Sequence, residues 1–314
     1  MAKRKLKDYF FLLLKGAGMG AADVVPGVSG GTIAFITEIY EELVNSIKSI
    51  GVKSFRKIFS EGIPGFWNSI NGNFLAAVFA GIIISIFTLA NLLETLLEEN
   101  PIIIWSFFFG LIIASAVYVA RKIKIWNWQK IVSIILGITA AVLITSLTPA
   151  KTTDAYWFVF VSGALAICAM ILPGISGAFI LLILGKYQFI LGAVNDLNIV
   201  VIGIFAIGAL IGLISFSNVL SWFLRKFHDI TIAVLSGFMI GSLYKVWPWK
   251  RTVSTYVDRH GEVQPLVEKN ILPGQFECAT GDSAQLIIAI AAAAVGIILI
   301  LALEQITKTK NNQV

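Results

Sequence analysis

Two short segments hold the residue types and spacing from which a binding chemistry could be built. They are Asp23-Val24-Val25-Pro26-Gly27-Val28-Ser29-Gly30-Gly31-Thr32 and Leu172-Pro173-Gly174-Ile175-Ser176-Gly177-Ala178. In each, proline stops one helix and glycine permits close backbone approach where the next begins. The free N–H groups of that start, its helix dipole and the hydroxyls of Ser29, Thr32 and Ser176 form an anion cradle of modest charge. Two such starts facing each other suit a phosphate or carboxylate. Pro26, Gly27, Ser29, Gly30, Gly31, Thr32, Pro173, Gly174, Ser176 and Gly177 are therefore the candidate substrate-binding residues. Small residues also let helices pack in membranes, but packing does not call for a Pro-Gly break in both segments.

Asp23 lies three residues before the first break, and an ionisable group at such a depth is a functional candidate. It can take up a proton as substrate moves, or it can fasten the break by accepting backbone N–H bonds; both roles are open at this point. Glu38 and Glu41 are further candidates for proton or ion coupling, although with Glu42 they also suit a solvated helix end. Lys15 and Lys186, each a few turns from a break, either guide an anion inward or snorkel to an interface. Cys168, Cys278, His228 and His260 have no metal-ligand spacing, so neither a metal nor another cofactor is expected.

These residues sit in a chain of 314 residues, 57% hydrophobic and 13% charged, with a mean hydropathy of +0.86. Soluble domains carry about 25% charged residues, so lipid is the expected solvent. The net charge of +6 is spread over short loops rather than gathered on one face, which argues against nucleic acid. Six stretches, 74–97, 102–120, 131–148, 199–224, 231–246 and 284–303, are apolar enough to cross a hydrocarbon core, which takes about 20 helical residues. Stretches 9–44 and 156–194 are interrupted by the Pro-Gly breaks, and hairpins shielded by protein accommodate such irregular backbone. An alternative architecture has ten full spans.

The two interrupted stretches are copies. Laying Pro26 on Pro173 without gaps pairs Gly16 with Gly163, Ala17 with Ala164, Ala22 with Ala169, Gly27 with Gly174, Ser29 with Ser176 and Gly30 with Gly177. The register continues through Ile33 and Ile180, Ile36 and Ile183, and Tyr40 and Tyr187, whereas Asp23 falls on Met170. The expected fold is an all-α membrane protein forming one integral domain of two repeats, 1–150 and 151–314. Each repeat has a re-entrant helical hairpin (9–44 or 156–194) and three transmembrane helices, and the second carries a polar loop, 249–283. Lysine and arginine concentrate at 3–7, 48–57, 121–130, 225–226 and 308–310, which assigns those loops and both termini to the cytoplasm. An odd number of crossings per repeat then sets the second copy upside down relative to the first.

Gly18-Met19-Gly20-Ala21-Ala22-Asp23-Val24-Val25-Pro26-Gly27-Val28-Ser29-Gly30-Gly31-Thr32, followed by Ile39-Tyr40-Glu41-Glu42-Leu43, resembles the signature of the bacterial family called domain of unknown function 368. The resemblance covers nearly the whole chain apart from the loop 249–283. It implies translocation of undecaprenyl phosphate, a polyprenyl phosphate, from the outer to the cytoplasmic leaflet of the bacterial cytoplasmic membrane. There the carrier lipid is recycled for cell-envelope and peptidoglycan synthesis. The tips also resemble, more distantly, the Pro-Gly-x-Ser-Arg loops of undecaprenyl pyrophosphate phosphatase. Here glycine follows each serine, and without a fixed cation phosphoryl transfer lacks its charge stabilisation; a lipid transporter rather than an enzyme is expected. A secondary transporter of a small soluble anion shares the repeat and is the other alternative. The loop assignment predicts that a cysteine at Asn71 reacts with an impermeant maleimide only from the cytoplasm, and one at Asn198 or Asp258 only from outside. Labelling of Asn71 and Asn198 from one side would overturn the arrangement.

Overall fold

Proline and glycine divide the apolar runs of this chain into helices of matching length. The computed structural model describes residues 4–25, 28–150, 152–257 and 263–311; Lys3, Pro26, Gly27, Lys151 and Asp258 lie outside them. The first half runs α1 (Leu6–Val24), α2 (Gly30–Ile36), α3 (Tyr40–Lys48), α4 (Val52–Ser69), α5 (Gly72–Glu99), α6 (Pro101–Ala120) and α7 (Trp128–Ser146). The second runs α8 (Tyr156–Ile171), α9 (Gly177–Ile183), α10 (Tyr187–Asn195), α11 (Ile199–Lys226), α12 (His228–Ser242), β1 (Lys250–Val257), β2 (Val263–Asn270), α13 (Pro273–Thr280) and α14 (Leu286–Asn311). In the register of Pro26 on Pro173, α2 matches α9 and α3 matches α10 boundary for boundary. The turn before α3 puts Glu38 at φ 60°, and the matching turn puts Gly185 at φ 63°. Between α9 and α10 the chain bends by 109°.

Glycines set the seams between helices. In α1 and α5, a Cβ at Gly16 would strike the Val78 carbonyl and one at Gly81 the Leu13 carbonyl. The seam of α8 and α11 repeats this with Gly163 on Phe205 and Gly208 on Phe160. A second pair of seams crosses between the halves. Gly110 of α6 meets Ala293 of α14 and Gly296 meets Phe107, while Gly237 of α12 meets Ile134 of α7 and Gly137 meets Val234. Such close approach is how helices gain dispersion contact where lipid supplies no hydrophobic drive. The helix that closes each half thus packs against a helix of the other.

Five helices, α5, α6, α7, α11 and α14, are long and apolar enough to cross a membrane, six if α9 and α10 count as one span. The chain is a multi-pass membrane protein, mostly helical. Three features differ from expectation. The crossing expected over 231–246 is α12, 15 residues that begin three positions earlier and stop at Ser242, about 22 Å at 1.5 Å per residue, where the backbone tightens into the bonds of Leu243, Tyr244 and Lys245 to the carbonyls three residues before them. The loop expected only to be polar holds an antiparallel hairpin, with Lys250 opposite Asn270 and Val257 opposite Val263. Its first strand, Arg251-Thr252-Val253-Ser254-Thr255-Tyr256-Val257, is rich in β-branched residues that suit a pleat; the fold is therefore not wholly α. The basic loop after α3 contains α4, kinked at Gly62, whose exposed Phe55 and Phe59 before the kink and Ile63 and Trp67 after it suit the boundary between headgroups and acyl chains.

The matching halves are not packed alike. At the end holding the N-terminus, α2 lies against α6, α8 and α14, and α3 lies along α11. Lys48 Nζ donates to Ser221 Oγ at 3.1 Å, and Ser221 Oγ donates to Asn45 Oδ1 at 2.8 Å, tying α3 to α11. Among the described residues, α9 and α10 make no comparable contact with α12, α1, α7 or α5. A cavity of about 110 Å³ lies instead between α7, α9, the end of α12 and β2.

The seams predict that Gly81→Ala, which forces a methyl against the Leu13 carbonyl, costs about 1–3 kcal/mol by overpacking. Gly203→Ala on α11, where nothing lies within 4 Å, should not destabilise. Thermal unfolding of the two purified variants in one detergent checks this; equal midpoints would contradict the seam.

Candidate functional site

The first tip is built by its own side chains. Ser29 is the N-cap of α2, and its Oγ accepts from Gly31 N–H at 3.1 Å. Gly30 N–H donates to Asp23 Oδ1 at 2.7 Å, and Thr32 N–H to the Ser29 carbonyl at 2.9 Å. The amides expected to be free for an anion are therefore taken, one of them by the Asp23 carboxylate itself. Gly30 is needed because a Cβ there would strike that carboxylate. Thr32 is buried, and its Oγ1 has no hydrogen-bond partner among the described residues.

The second tip opens a helix of the same length with a different filling. Pro173 and Gly174 are buried, and Gly174 takes φ 88°, a left-handed value that suits glycine. Its missing Cβ would lie 2.9 Å from the Phe238 carbonyl. Ser176 is the N-cap of α9 but its side chain makes no capping bond, and Met170 stands where the first tip has Asp23. Gly177 packs where a Cβ would sit 2.7 Å from the Ala166 carbonyl.

The two tips touch. Ser29 Oγ lies 3.1 Å from the carbonyl oxygens of both Met170 and Leu172, so its proton is shared between them. A Cβ at Gly31 would lie 2.5 Å from the Ile171 carbonyl. Of the ten tip residues read from the sequence, the eight that are described thus gather in the two tips, buried around this contact.

The acidic candidates lie at the end where α3 meets α11. Glu38 accepts from Tyr118 OH at 2.7 Å and pairs with Lys122 at 3.2 Å, which holds its left-handed backbone. Glu41 meets His228 Nε2 at 3.2 Å. Glu42 takes a two-pronged contact from Arg4, at 2.7 and 2.6 Å, and a bond from Asn71 Nδ2 at 2.8 Å. All three tie separate helices together. Lys15 donates to the Thr37 carbonyl, and so binds the end of α2. Lys186, 1% exposed, pairs with Asp154 beneath the rings of Phe158 and Phe189.

A family model described as undecaprenyl phosphate translocase-like matches residues 19–264, a span that includes both tips. The chain belongs to this family. A Vibrio cholerae relative, named polyprenyl-phosphate transporter, is 46% identical over 301 residues, covering 96% of this chain and 98% of its own. A Staphylococcus aureus protein of the same name is 34% identical over 257 residues, covering 75% of this chain and 85% of its own. No solved structure matches.

In this member of the translocase-like family, reading the sequence missed a cluster at the opposite end. Lys245 Nζ and Lys250 Nζ lie 3.3 and 3.5 Å from the same Glu268 oxygen. Burial pushes the Lys250 amine down to about 8. Burial also acts to raise the Glu268 carboxyl, but Lys250 and Lys245 bring it below the ordinary carboxylate range. The spacing of Lys245 and Lys250 about Trp247-Pro248-Trp249 was the available signal; their convergence on Glu268 depends on the hairpin.

The tip geometry predicts that Asp23→Ala, which strands the Gly30 amide, lowers stability by about 1–3 kcal/mol. Asp23→Asn keeps an acceptor and should lose less. Thermal unfolding measures both, and equal loss in the two variants would count against fastening by that bond.

Proposed function

We propose that this chain carries a polyprenyl phosphate, undecaprenyl phosphate in particular, from the outer to the cytoplasmic leaflet of a bacterial cytoplasmic membrane, returning carrier lipid to cell-envelope synthesis. One observation carries the reading: two matching helix breaks meet at a buried contact, and the α3–α11 end is tied shut by Lys48, Ser221 and Asn45 while, among the described residues, α10 makes no matching contact with α5 at the other end. A carrier that alternates needs such a paired site with one side shut. The names of the relatives supply the substrate class.

On this reading the chain is two inverted repeats, 1–150 and 151–314, each opening with a re-entrant hairpin, with both termini in the cytoplasm. Ser29, Thr32, Ser176 and the glycines of the tips receive the phosphate once the tips part, and the Asp23 carboxylate leaves the Gly30 amide to a stronger acceptor. The tips bring hydroxyls and amides but no arginine, which suits binding and release rather than phosphoryl transfer. Glu38 and Glu41 belong to the closed end, and their proton or ion coupling would act through its opening.

Reconstituted in liposomes, the protein should move labelled polyprenyl phosphate between leaflets, carry no labelled inorganic phosphate, and release none from the pyrophosphate form. Oxidative crosslinking of Asn45→Cys to Ser221→Cys, in a background with Cys168 and Cys278 replaced by serine, should stop movement, and a reductant should restore it. Full movement with the crosslink in place would overturn the alternating reading; carriage of inorganic phosphate alone would favour the soluble-anion transporter.

A further inference from the structure

The cavity between α7, α9, α12 and β2 lies away from the tip contact, and nothing in the tip chemistry uses its charges. Thr145, Ser146 and Thr148 bring hydroxyls to it from the end of α7, and Phe179, Leu182 and Ile183 give an apolar wall from α9. Lys245 and Glu268 complete the lining, and Lys245 Nζ stands 5.1 Å from the centre of the Phe179 ring. Lys250 reaches Glu268 beside this lining, with its ammonium 4.1 Å above Trp105. The Lys250 side chain is 8% exposed, and beyond the 3.5 Å ion pair with Glu268 its amine has no hydrogen-bond partner among the described residues.

We infer that this cavity is a docking site for a phosphate monoester headgroup, which Lys245 and Lys250 hold when it takes the place of the Glu268 carboxylate. Two ammonium groups share one carboxylate here, so the cluster keeps a unit of positive charge and the unbonded donors of Lys250. A monoester dianion matches two lysines in charge and offers three oxygens where Glu268 offers two. About 110 Å³ is room for such a group, since one water needs about 10–15 Å³ by the same measure. Leu147 and Tyr244, both in the lining, are exposed, so the cavity reaches the surface. Leu147 follows directly on α7, a helix apolar enough to cross a membrane, which exposes Leu143 one turn away. A headgroup docked here can leave its tail in lipid. The hairpin that brings Glu268 and Lys250 is an insertion between α12 and α14 without counterpart between α6 and α7, so this site belongs to one side of the molecule only.

The inference rests on the transport reading and deepens it by giving the lipid a place to land before the tips. Its test measures binding of farnesyl phosphate and of inorganic phosphate to the purified full-length protein in detergent, by calorimetry, alongside the liposome assay. Lys245→Gln should weaken farnesyl phosphate about tenfold, the loss of one charge-assisted bond; Lys245→Arg should keep the affinity, and Glu268→Gln should raise it several-fold. Elution as wild type on size exclusion identifies the variants that are folded, and Lys250→Met serves if Lys245→Gln is not. Unchanged affinity in Lys245→Gln, Lys250→Met and Glu268→Gln, with wild-type transport intact, would overturn the docking site and leave the transport reading standing. Absence of lipid movement by the wild type would instead remove the transport reading. Inorganic phosphate competing as strongly as farnesyl phosphate, with the same response to the variants, would overturn a lipid as the occupant.

Discussion

A helix that ends inside an apolar interior leaves amide hydrogens with no water to receive them, and each one stranded costs about 1–3 kcal/mol. The rest of this molecule is arranged around that requirement at two places. At the first, the Asp23 carboxylate and the Ser29 side chain take the amides of Gly30 and Gly31. The solution reaches into the other half, because Ser29 gives its proton to the carbonyls of Met170 and Leu172, groups released by the end of α8. At the second break Met170 supplies no carboxylate, so the matching start of α9 lacks the equivalent cap. One break is satisfied within the protein and the other is not to the same degree, although the helices that follow the two breaks have matching bounds.

Much of the architecture could be read from local pattern. The Pro-Gly-x-Ser-Gly register carried through to identical boundaries for α2 and α9 and for α3 and α10, because proline, glycine and serine dictate backbone conformation wherever they occur. The apolar stretches 74–97, 102–120, 131–148, 199–224 and 284–303 became long helices for an equally local reason, the number of residues free of breakers. The stretch 231–246 shows the limit: hydropathy continues past Ser242, but the turn ahead of Pro248 stops the helix.

What could not be read depends on partners distant in sequence. Nothing near Lys48 or Asn45 announces Ser221, and nothing near Glu38 announces Tyr118. The sequence marks Asp23 as a candidate by its depth and charge, yet only the folded tip gives it the Gly30 amide as a partner. The lysines escaped for a related reason. Lys15 and Lys186 look alike in a hydropathy profile, but one binds the end of α2 while the other is buried beneath two aromatic rings with Asp154. Lys245, Lys250 and Glu268 came together through strand pairing in a segment that composition marks only as polar.

The crossed glycine seams also bear on how the chain is made. Gly110 of α6 is shaped for the backbone of α14, and the face of α12 around Gly237 is shaped for α7, which is synthesised long before it. The groove on α6 therefore stays uncovered from early in translation until the final helix leaves the ribosome. No truncated chain ending before α14 can complete that seam, and the first half cannot finish folding while the second is still being threaded into the bilayer. Quality control that senses unpaired small-residue faces among membrane helices would find this one open until the last moment of synthesis.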